Sequence, residues 1–337
     1  MSRSDFRRPS PWTHRLVRHC SWLLGLLALG TDAVAECPVP AGATPLPGTD
    51  LAMSIALPGL QNDPVYGAKL VYIHVPAAYQ VGRPIPLVVV LHGASGSQTG
   101  ASGQASILRG LWRPASDAGG FIVASLIASG SNGGWIAPGD RDDAPTDYDL
   151  IEAVVTRLSQ DYSIDATRRY LWGFSSGGHV TLDIALNEVH PRIHSGFFAG
   201  YGVSAGASRG LACAGLGTAE CVRTFSEAPI KRPIDVHIGN ADNLIAQVLD
   251  DRSRFLGLGW RDGVTFFWQE FDGGHYVLNE HPLQTWNNLC GFSTRAPAMP
   301  RHEPTPAPFT VTGAAVTTIG SAVPDRDPGL QPPDRKR

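Results

Sequence analysis

No stretch of this 337-residue chain approaches the roughly 18 consecutive apolar residues that a membrane-spanning helix requires. Nor is there an excess of positive charge, because 27 lysines and arginines oppose 30 aspartates and glutamates, for a formal net charge of −3. Nucleic-acid-binding proteins usually carry a clustered basic surface, so this charge balance argues against that class. With 43% hydrophobic residues, the chain has ample material for one large domain or two modest ones.

Cysteine is scarce, at five residues, and no two of them form the C-x-x-C pair of a typical zinc site. No histidine stands near them at a suitable spacing, so we expect no metal site. The glycine-rich stretch GASGSQTGASG at 93–103 is not followed by G-K-S or G-K-T. This absence argues against a phosphate-binding loop.

The first 35 residues contain the three parts of a secretory signal. Five arginines lie within residues 1–20, the apolar run WLLGLLALG follows at 22–30, and the small-x-small site Ala33-Val34-Ala35 comes next. Nine apolar residues are too few for a membrane anchor, and Glu36 separates this site from Cys37, which disfavours a lipid anchor. We therefore expect cleavage after Ala35 and a secreted or periplasmic protein.

Export would place the remaining cysteines in an oxidising compartment. Once Cys20 leaves with the signal, Cys37, Cys213, Cys221 and Cys290 remain, and four cysteines allow three pairings. The short separation of Cys213 and Cys221 favours a local disulfide. Cys37 and Cys290 would then join the two ends of the folded region.

Between residues 36 and 293, strand-like apolar runs alternate with segments of helical periodicity, whereas 294–337 holds nine of the 27 prolines and is expected to be a disordered tail. The alternation predicts one catalytic domain of the α/β class, with a mostly parallel central sheet and helices on both faces. Ligand sites of such sheets lie at the carboxyl ends of the strands. The predicted strands are 69–76, 86–93, 121–128, 168–175, 195–203, 234–240 and 264–271, and the predicted helices are 103–118, 147–162, 177–189 and 281–290.

The segment GFSSGGH at 173–179 follows the predicted strand RRYLWGFS and precedes a predicted helix. It fits G-x-S-x-G, the sharp strand-to-helix turn that lifts a serine hydroxyl out of the sheet and needs small residues on either side. Centring the pattern on Ser176 would put Phe174 where glycine is required. Ser175 is therefore the candidate nucleophile, and a plain glycine-rich turn is the alternative.

A serine nucleophile needs a histidine base and an orienting acid, which follow it along the chain in the order acid, histidine in this fold class. His275 lies in the glycine turn FDGGHYVLNE after a predicted strand and is the candidate base, with His281 as its main rival. Asp242 comes just after the preceding strand and is the candidate acid. The acids at 250, 251 and 272 are disfavoured, since the first two are expected on a helix surface and the third lies too close to His275.

An oxyanion hole needs two backbone N–H groups aimed at the developing negative charge. One is expected from Ser176, the residue after the nucleophile. The other is expected from the loop after the strand 86–92, where Ala94 is the candidate and Gly93 the alternative.

Four segments together resemble the α/β-hydrolase superfamily: LVVVLHGASGS, DYDLIEAVVTRLSQDYSIDATRRYLWGFSSGGH, HIGNADNLI and FDGGHYVL. The resemblance covers roughly residues 68–292 and is closest to secreted esterases of the polyhydroxybutyrate depolymerase and feruloyl esterase type. It implies that Ser175, Asp242 and His275 are the triad. Trp135 in GGWIAPGD is the best candidate for a substrate contact, with a loop tryptophan packed on the core as the alternative.

These residues predict an exported serine hydrolase that cleaves short-chain, 3-hydroxybutyrate-type or aromatic acyl esters, as small molecules or oligomers. This chemistry needs no metal and no organic cofactor. A peptidase or an acyltransferase could use the same triad. A binding protein that kept the fold without catalysis is the alternative from another class.

Overall fold

The computed structural model of the chain describes residues 37, 48–57, 65, 67–140 and 145–295. The predicted signal at 1–35 lies outside these residues, as does the predicted tail beyond its first two positions. Within the described ranges, no helix is long and apolar enough to cross a bilayer.

Eight strands form a single sheet in these residues, in the order β1-β2-β4-β3-β5-β6-β7-β8. Strands β3 to β8 run parallel to one another, whereas β2 is antiparallel to both β1 and β4. The strands are β1 (Thr49–Ile55), β2 (Lys69–Val75), β3 (Ile85–Leu91), β4 (Ile122–Leu126), β5 (Ile164–Phe174), β6 (Gly200–Ser204), β7 (Ile234–Gly239) and β8 (Phe266–Phe271).

Six α-helices connect and cover these strands: α1 (Gln98–Gly119), α2 (Asp147–Asp161), α3 (Ser176–Leu186), α4 (Thr218–Ser226), α5 (Ile245–Gly257) and α6 (His281–Leu289). Strand β3 is buried at every position, as its continuous apolar sequence predicts for a strand covered on both faces. Helix α2 begins in a capping box. The Asp149 carboxylate accepts the Thr146 N–H, and the Thr146 hydroxyl accepts the Asp149 N–H. The predicted mostly parallel sheet with covering helices is confirmed.

The parallel strands carry their carboxyl ends to one edge of the sheet. The loops after β3, β5, β7 and β8 therefore meet there, and these loops hold all the candidate catalytic residues. The fold thus brings together residues that lie as far apart as positions 94 and 275.

The structure differs from the sequence prediction at several elements. The predicted strand 195–203 begins only at Gly200, because residues 194–197 form a turn in which the Phe197 N–H donates to the His194 carbonyl. Helix α1 begins five residues earlier than predicted, since the Ser97 hydroxyl caps it by accepting from Gly100 N–H. Strand β1 and helix α4 had no predicted counterpart.

Two disulfides cross-link the described residues. Cys213 and Cys221 are joined with their Cα atoms 5.1 Å apart, and Cys37 and Cys290 with their Cα atoms 5.5 Å apart. The first closes a short loop before and within α4. The second joins Cys37 to Cys290, the residue directly after α6, 253 positions further along the chain.

Loss of the long-range disulfide should destabilise the protein more than loss of the local one. In the chain-entropy treatment, we expect about 5 kcal/mol for Cys37–Cys290 and about 2–3 kcal/mol for Cys213–Cys221. Calorimetry of the Cys37→Ser/Cys290→Ser and Cys213→Ser/Cys221→Ser double variants should therefore show the larger fall in Tm for the first pair. Equal losses would contradict this expectation, and non-reducing peptide mapping that finds free thiols or crossed pairs would overturn the pairing itself.

Candidate active site

Ser175 is the single residue between strand β5 and helix α3. Its backbone has φ 52° and ψ −117°, a conformation that costs a non-glycine residue free energy and persists only where surrounding packing enforces it. The neighbouring glycines show that packing: a Cβ on Gly173 would collide with the Gly177 carbonyl, and a Cβ on Gly177 would lie 2.5 Å from the Leu91 carbonyl oxygen. The ends of β3 and β5 and the start of α3 thus pass so close to one another that positions 173 and 177 have no room for a Cβ.

The Ser175 hydroxyl lies at one end of a hydrogen-bonded chain of three side chains. His275 Nε2 is 2.8 Å from Ser175 Oγ, and His275 Nδ1 is 2.9 Å from Asp242 Oδ2. An ionised carboxylate only accepts hydrogen bonds, so Nδ1 carries the proton and Nε2 is free to accept the serine proton. This order of donors and acceptors is the one that general-base activation of a serine requires.

The loops that carry the acid and the histidine are bound to each other. Asn240 N–H donates to the Phe271 carbonyl over 2.9 Å, and Ala241 N–H donates to the Gly273 carbonyl over 2.8 Å. The Asp242 side chain is buried, and its second oxygen accepts the Leu244 N–H at 2.8 Å. These contacts hold the carboxylate in position without help from the histidine.

The other histidines considered from the sequence make different contacts. His281 is buried, accepts the Leu278 N–H at Nδ1 over 3.3 Å, and packs its ring 4.3 Å from that of His237. His237 Nε2 is bound to Asp235 Oδ2 at 2.8 Å, and His179 Nδ1 lies 2.8 Å from a backbone carbonyl oxygen. Among the described histidines, His275 is the one recorded in contact with the serine hydroxyl.

The disfavoured acids are also accounted for. Asp251 is buried, and its oxygens accept from Ser208 N–H at 2.6 Å and Arg254 Nη1 at 2.9 Å. The expectation that it lies on a helix surface was therefore wrong, because the chain after β6 folds back onto α5. Asp250 pairs with the same Arg254, and Asp272 Oδ1 accepts weakly from an amide at 3.4 Å.

The loop after β3 passes directly beside the serine. A Cβ placed on Gly93 would lie 3.1 Å from the Ser175 Cβ, so only glycine allows this approach without a shift. His92 Nδ1 is 2.6 Å from the Gly93 carbonyl oxygen, and its Nε2 accepts the Ala128 N–H at 3.1 Å. Since the Gly93 carbonyl and the Ala94 N–H belong to one trans peptide and point in opposite directions, His92 holds the Ala94 N–H pointing away from its own ring.

Trp135 lies next to this loop. Its Nε1 donates to the His92 carbonyl over 2.8 Å, and its ring centroid is 4.9 Å from that of His92. The indole is half-buried and also packs on the hydrophobic core. Both interpretations from the sequence, a core contact and a surface presented near the serine, are compatible with this position.

Sequence reasoning assigned no role to His92 or Asp147. His92 directly follows the buried strand β3, and burial lowers its pKa to about 4, which keeps the ring neutral near pH 7. Asp147, the first residue of α2, has no exposed side chain surface and binds the loop that carries Trp135. The sequence did offer a signal for each residue, because His92 directly follows a buried strand and Asp147 stands at the start of a helix. No group of three or more His, Cys, Asp or Glu in the described part of the chain is arranged to hold a metal ion.

Comparison with known proteins agrees with this architecture. No protein-family model matches the chain. A curated protein of Nocardia uniformis subsp. tsuyamanensis, "Putative esterase NocK", is 33% identical over 135 residues, or 39% of this chain and 36% of that protein. The match therefore spans about a third of the curated relative's length.

Solved structures of hydrolases superpose on most of the chain. An S-formylglutathione hydrolase from Agrobacterium tumefaciens has a TM-score of 0.51 at 15% identity, covering 73% of this chain and 94% of its own. A feruloyl esterase module from Clostridium thermocellum, complexed with sinapinate, has a TM-score of 0.51 at 14% identity, covering 77% and 92%. At such low identity the likeness shows the fold alone.

Protein stability should fall as the pH is lowered from 6.5. Burial lowers the pKa of His281 to about 2, with the neighbouring His237 adding to the effect, and lowers that of His92 to about 4. The unfolded histidines titrate near pH 6.5, so below this pH the unfolded chain binds more protons and is favoured. Asp147, whose pKa burial raises to about 6, has the opposite effect between pH 6 and 4 and offsets one of the two histidines.

The variant His281→Asn retains an acceptor for the Leu278 N–H and removes one of these titrations. We expect its free energy of unfolding, measured with urea between pH 7 and 5, to decrease less steeply, by up to about 1.4 kcal/mol per pH unit. A slope equal to that of the wild type would contradict the lowered pKa of His281 in the folded protein.

Proposed function

We propose that this chain, which has the α/β-hydrolase fold, is an exported serine hydrolase that cleaves carboxylic esters through an acyl-enzyme. The observation that carries the proposal is the chain of hydrogen bonds from Ser175 through His275 to Asp242, built on a strained strand-to-helix turn. The partial match to a curated esterase and the fold shared with feruloyl esterases support the same chemistry.

In the proposed reaction, Ser175 Oγ attacks the ester carbonyl as His275 Nε2 takes its proton. The backbone N–H groups of Ser176 and Ala94 bind the resulting oxyanion. Collapse of the tetrahedral intermediate expels the alcohol, which receives the proton from His275 and leaves an acyl-serine. Water, activated by the same imidazole, then releases the acid, and Asp242 stabilises the imidazolium at each stage.

Export is part of the proposal. The residues 1–35 have the pattern of a cleaved signal, and 294–337 have the composition of a disordered tail, with the catalytic domain between them. Two disulfides in the described residues fit an oxidising compartment, outside the cell or in a periplasm.

We propose short or compact acyl groups as substrates, such as acetyl, 3-hydroxybutyryl or cinnamoyl-type groups. Long-chain lipases need a large mobile lid, and the connection from β6 to β7 is short and tied down here. Ser208 in this connection binds Asp251 of α5, and the Cys213–Cys221 disulfide closes the following turn. Trp135 would supply a flat apolar wall for an aromatic or short acyl group.

Removal of the nucleophile should abolish ester hydrolysis. We expect Ser175→Ala and His275→Ala to lower kcat for p-nitrophenyl acetate by about 10⁴ to 10⁶, because the residues of a triad act as a unit. A fluorophosphonate probe, which reacts with an activated serine, should label the wild-type protein and should not label Ser175→Ala. His281→Asn is the matched histidine control and should keep most activity.

The outcome that would reject this assignment is more than about a tenth of wild-type activity in Ser175→Ala. Transfer of the base role to His281 would be indicated if that variant were inactive and His275→Ala were not. A wild-type protein that neither hydrolyses esters nor takes up the fluorophosphonate would favour the non-catalytic binding protein.

Acyl-chain length should separate this protein from lipases. We expect p-nitrophenyl esters with two- to four-carbon acyl chains to show higher kcat/KM than those with twelve to sixteen carbons, since the connection that would cover a long chain is anchored. Steady-state kinetics over the whole series is the measurement. Faster turnover of the long chains would reveal an acyl tunnel and overturn the proposed substrate class.

A further inference from the structure

The Asp147 carboxylate binds both ends of the loop that carries Trp135. Its Oδ2 accepts the Ser129 N–H at 3.2 Å and the Ile136 N–H at 2.7 Å. Asp147 is fully buried at the start of α2. A backbone segment of eight residues, 129–136, is thus closed into a ring by one side-chain oxygen.

The loop 129–136 is also tied to the oxyanion-hole candidate loop after β3. Inside it, Gly133 N–H donates to the Gly130 carbonyl at 2.7 Å, and Gly130 N–H donates to the Gly134 carbonyl at 3.0 Å. Ser95 Oγ donates to the Gly133 carbonyl at 3.1 Å. The loop is therefore held from outside as well as from Asp147.

Trp135 transmits this position to the catalytic region. Its indole N–H donates to the His92 carbonyl, and its ring packs on the His92 ring. His92 in turn binds the carbonyl of Gly93, the residue that passes beside Ser175, and this carbonyl shares a peptide unit with the Ala94 N–H. A displacement of the loop would therefore move both the Trp135 ring and the peptide between Gly93 and Ala94.

We infer that Asp147 is a positioning residue, whose carboxylate fixes the loop 129–136 so that Trp135 forms a rigid wall for the acyl group and supports the His92–Gly93 turn. The inference rests on the proposed ester hydrolysis and extends it to the residue that holds the proposed acyl-binding wall in place. Asp147 itself lies behind the loop and acts only through these contacts.

The chemistry of the site explains why an acid is used there. A charged acceptor strengthens hydrogen bonds to backbone N–H groups roughly twofold over a neutral one. The cost is desolvation, which raises the pKa of Asp147 to about 6, while the Ser129 and Ile136 N–H donors and the charge of Lys69 on β2 act against it. Tyr148, the next residue of α2, interacts with the charges of Asp183, Asp140 and Asp147, and burial keeps the His92 ring neutral near pH 7.

The test compares two substitutions of Asp147 with one substitution of Asp149, which lies on the same helical turn. We expect Asp147→Ala to raise KM and lower kcat/KM for p-nitrophenyl acetate and a feruloyl ester by about 10- to 100-fold, since misplacement by about 1 Å commonly costs about 100-fold. Asp147→Asn keeps an oxygen acceptor and should remain within about threefold at pH 7.5, by the modest difference between charged and neutral acceptors. Asp149→Ala, which removes the capping carboxylate of α2 without touching the loop, should leave kinetic constants near wild type.

A pH profile adds a readout that a purely structural role would not change. Protonation leaves Asp147 a neutral acceptor like the asparagine, so in the wild type it should add a fall of at most about threefold in kcat/KM to the fall caused by the imidazole base. Asp147→Asn should lack this additional acidic step. This comparison holds even if Asp147→Ala does not fold.

The outcomes separate this inference from the proposed function. If the wild type shows no ester hydrolysis and no fluorophosphonate labelling, the proposed function fails and the inference fails with it. If the wild type is active, but Asp147→Ala behaves as Asp149→Ala or Asp147→Asn keeps the wild-type pH profile, the inference alone is overturned.

Discussion

The close crossing of backbones beneath Ser175 is the constraint on which the rest of the site depends. Strand β3 ends against the turn between β5 and α3, and a side chain on Gly173 or Gly177 would overlap a main-chain oxygen. This contact keeps Ser175 at a positive φ, which it would not adopt in a relaxed loop. The hydroxyl is therefore held out of the sheet by packing that involves only backbone atoms, so its position tolerates little change in the surrounding glycines.

The parallel sheet supplies the second requirement, since it delivers the base and acid to the same edge. Main-chain hydrogen bonds between the loops after β7 and β8 hold Asp242 and His275 relative to each other. The loops after β3 and β4 are likewise joined, through Ser95 and Trp135. Two pairs of loops thus meet at Ser175, and in our proposal one pair carries proton transfer and the other carries the acyl-facing wall.

Much of the fold could be predicted from local sequence, and so could three candidate residues that the structure brings together, Ser175, Asp242 and His275. Continuous apolar runs identified the buried strands, and the glycine spacing around Ser175 indicated the turn. The position of Asp242 and His275 after successive strands narrowed the choice of partners. Contacts between distant segments were not accessible: nothing local shows that Asp251 is buried against Ser208, or that β1 pairs with β2 at the sheet edge. The roles that we propose for His92 and Asp147 were missed for the same reason, as they depend on contacts with the loop 129–136, which lie 43 residues from His92 and 11 and 18 residues from Asp147.

Exposure distinguishes His275 from the other histidines at this end of the sheet. His92, His237 and His281 are all buried and bound to groups that hold their rings in place. The His275 side chain keeps a quarter of its surface exposed, with a buried carboxylate behind it and a hydroxyl in front. A general base must gain and lose a proton during each turnover, which desolvation on all sides would oppose. Burial lowers the pKa of His92 and of His281, so these two rings suit a neutral, positioning role. The partly exposed imidazole of His275 suits the proton transfer that we propose.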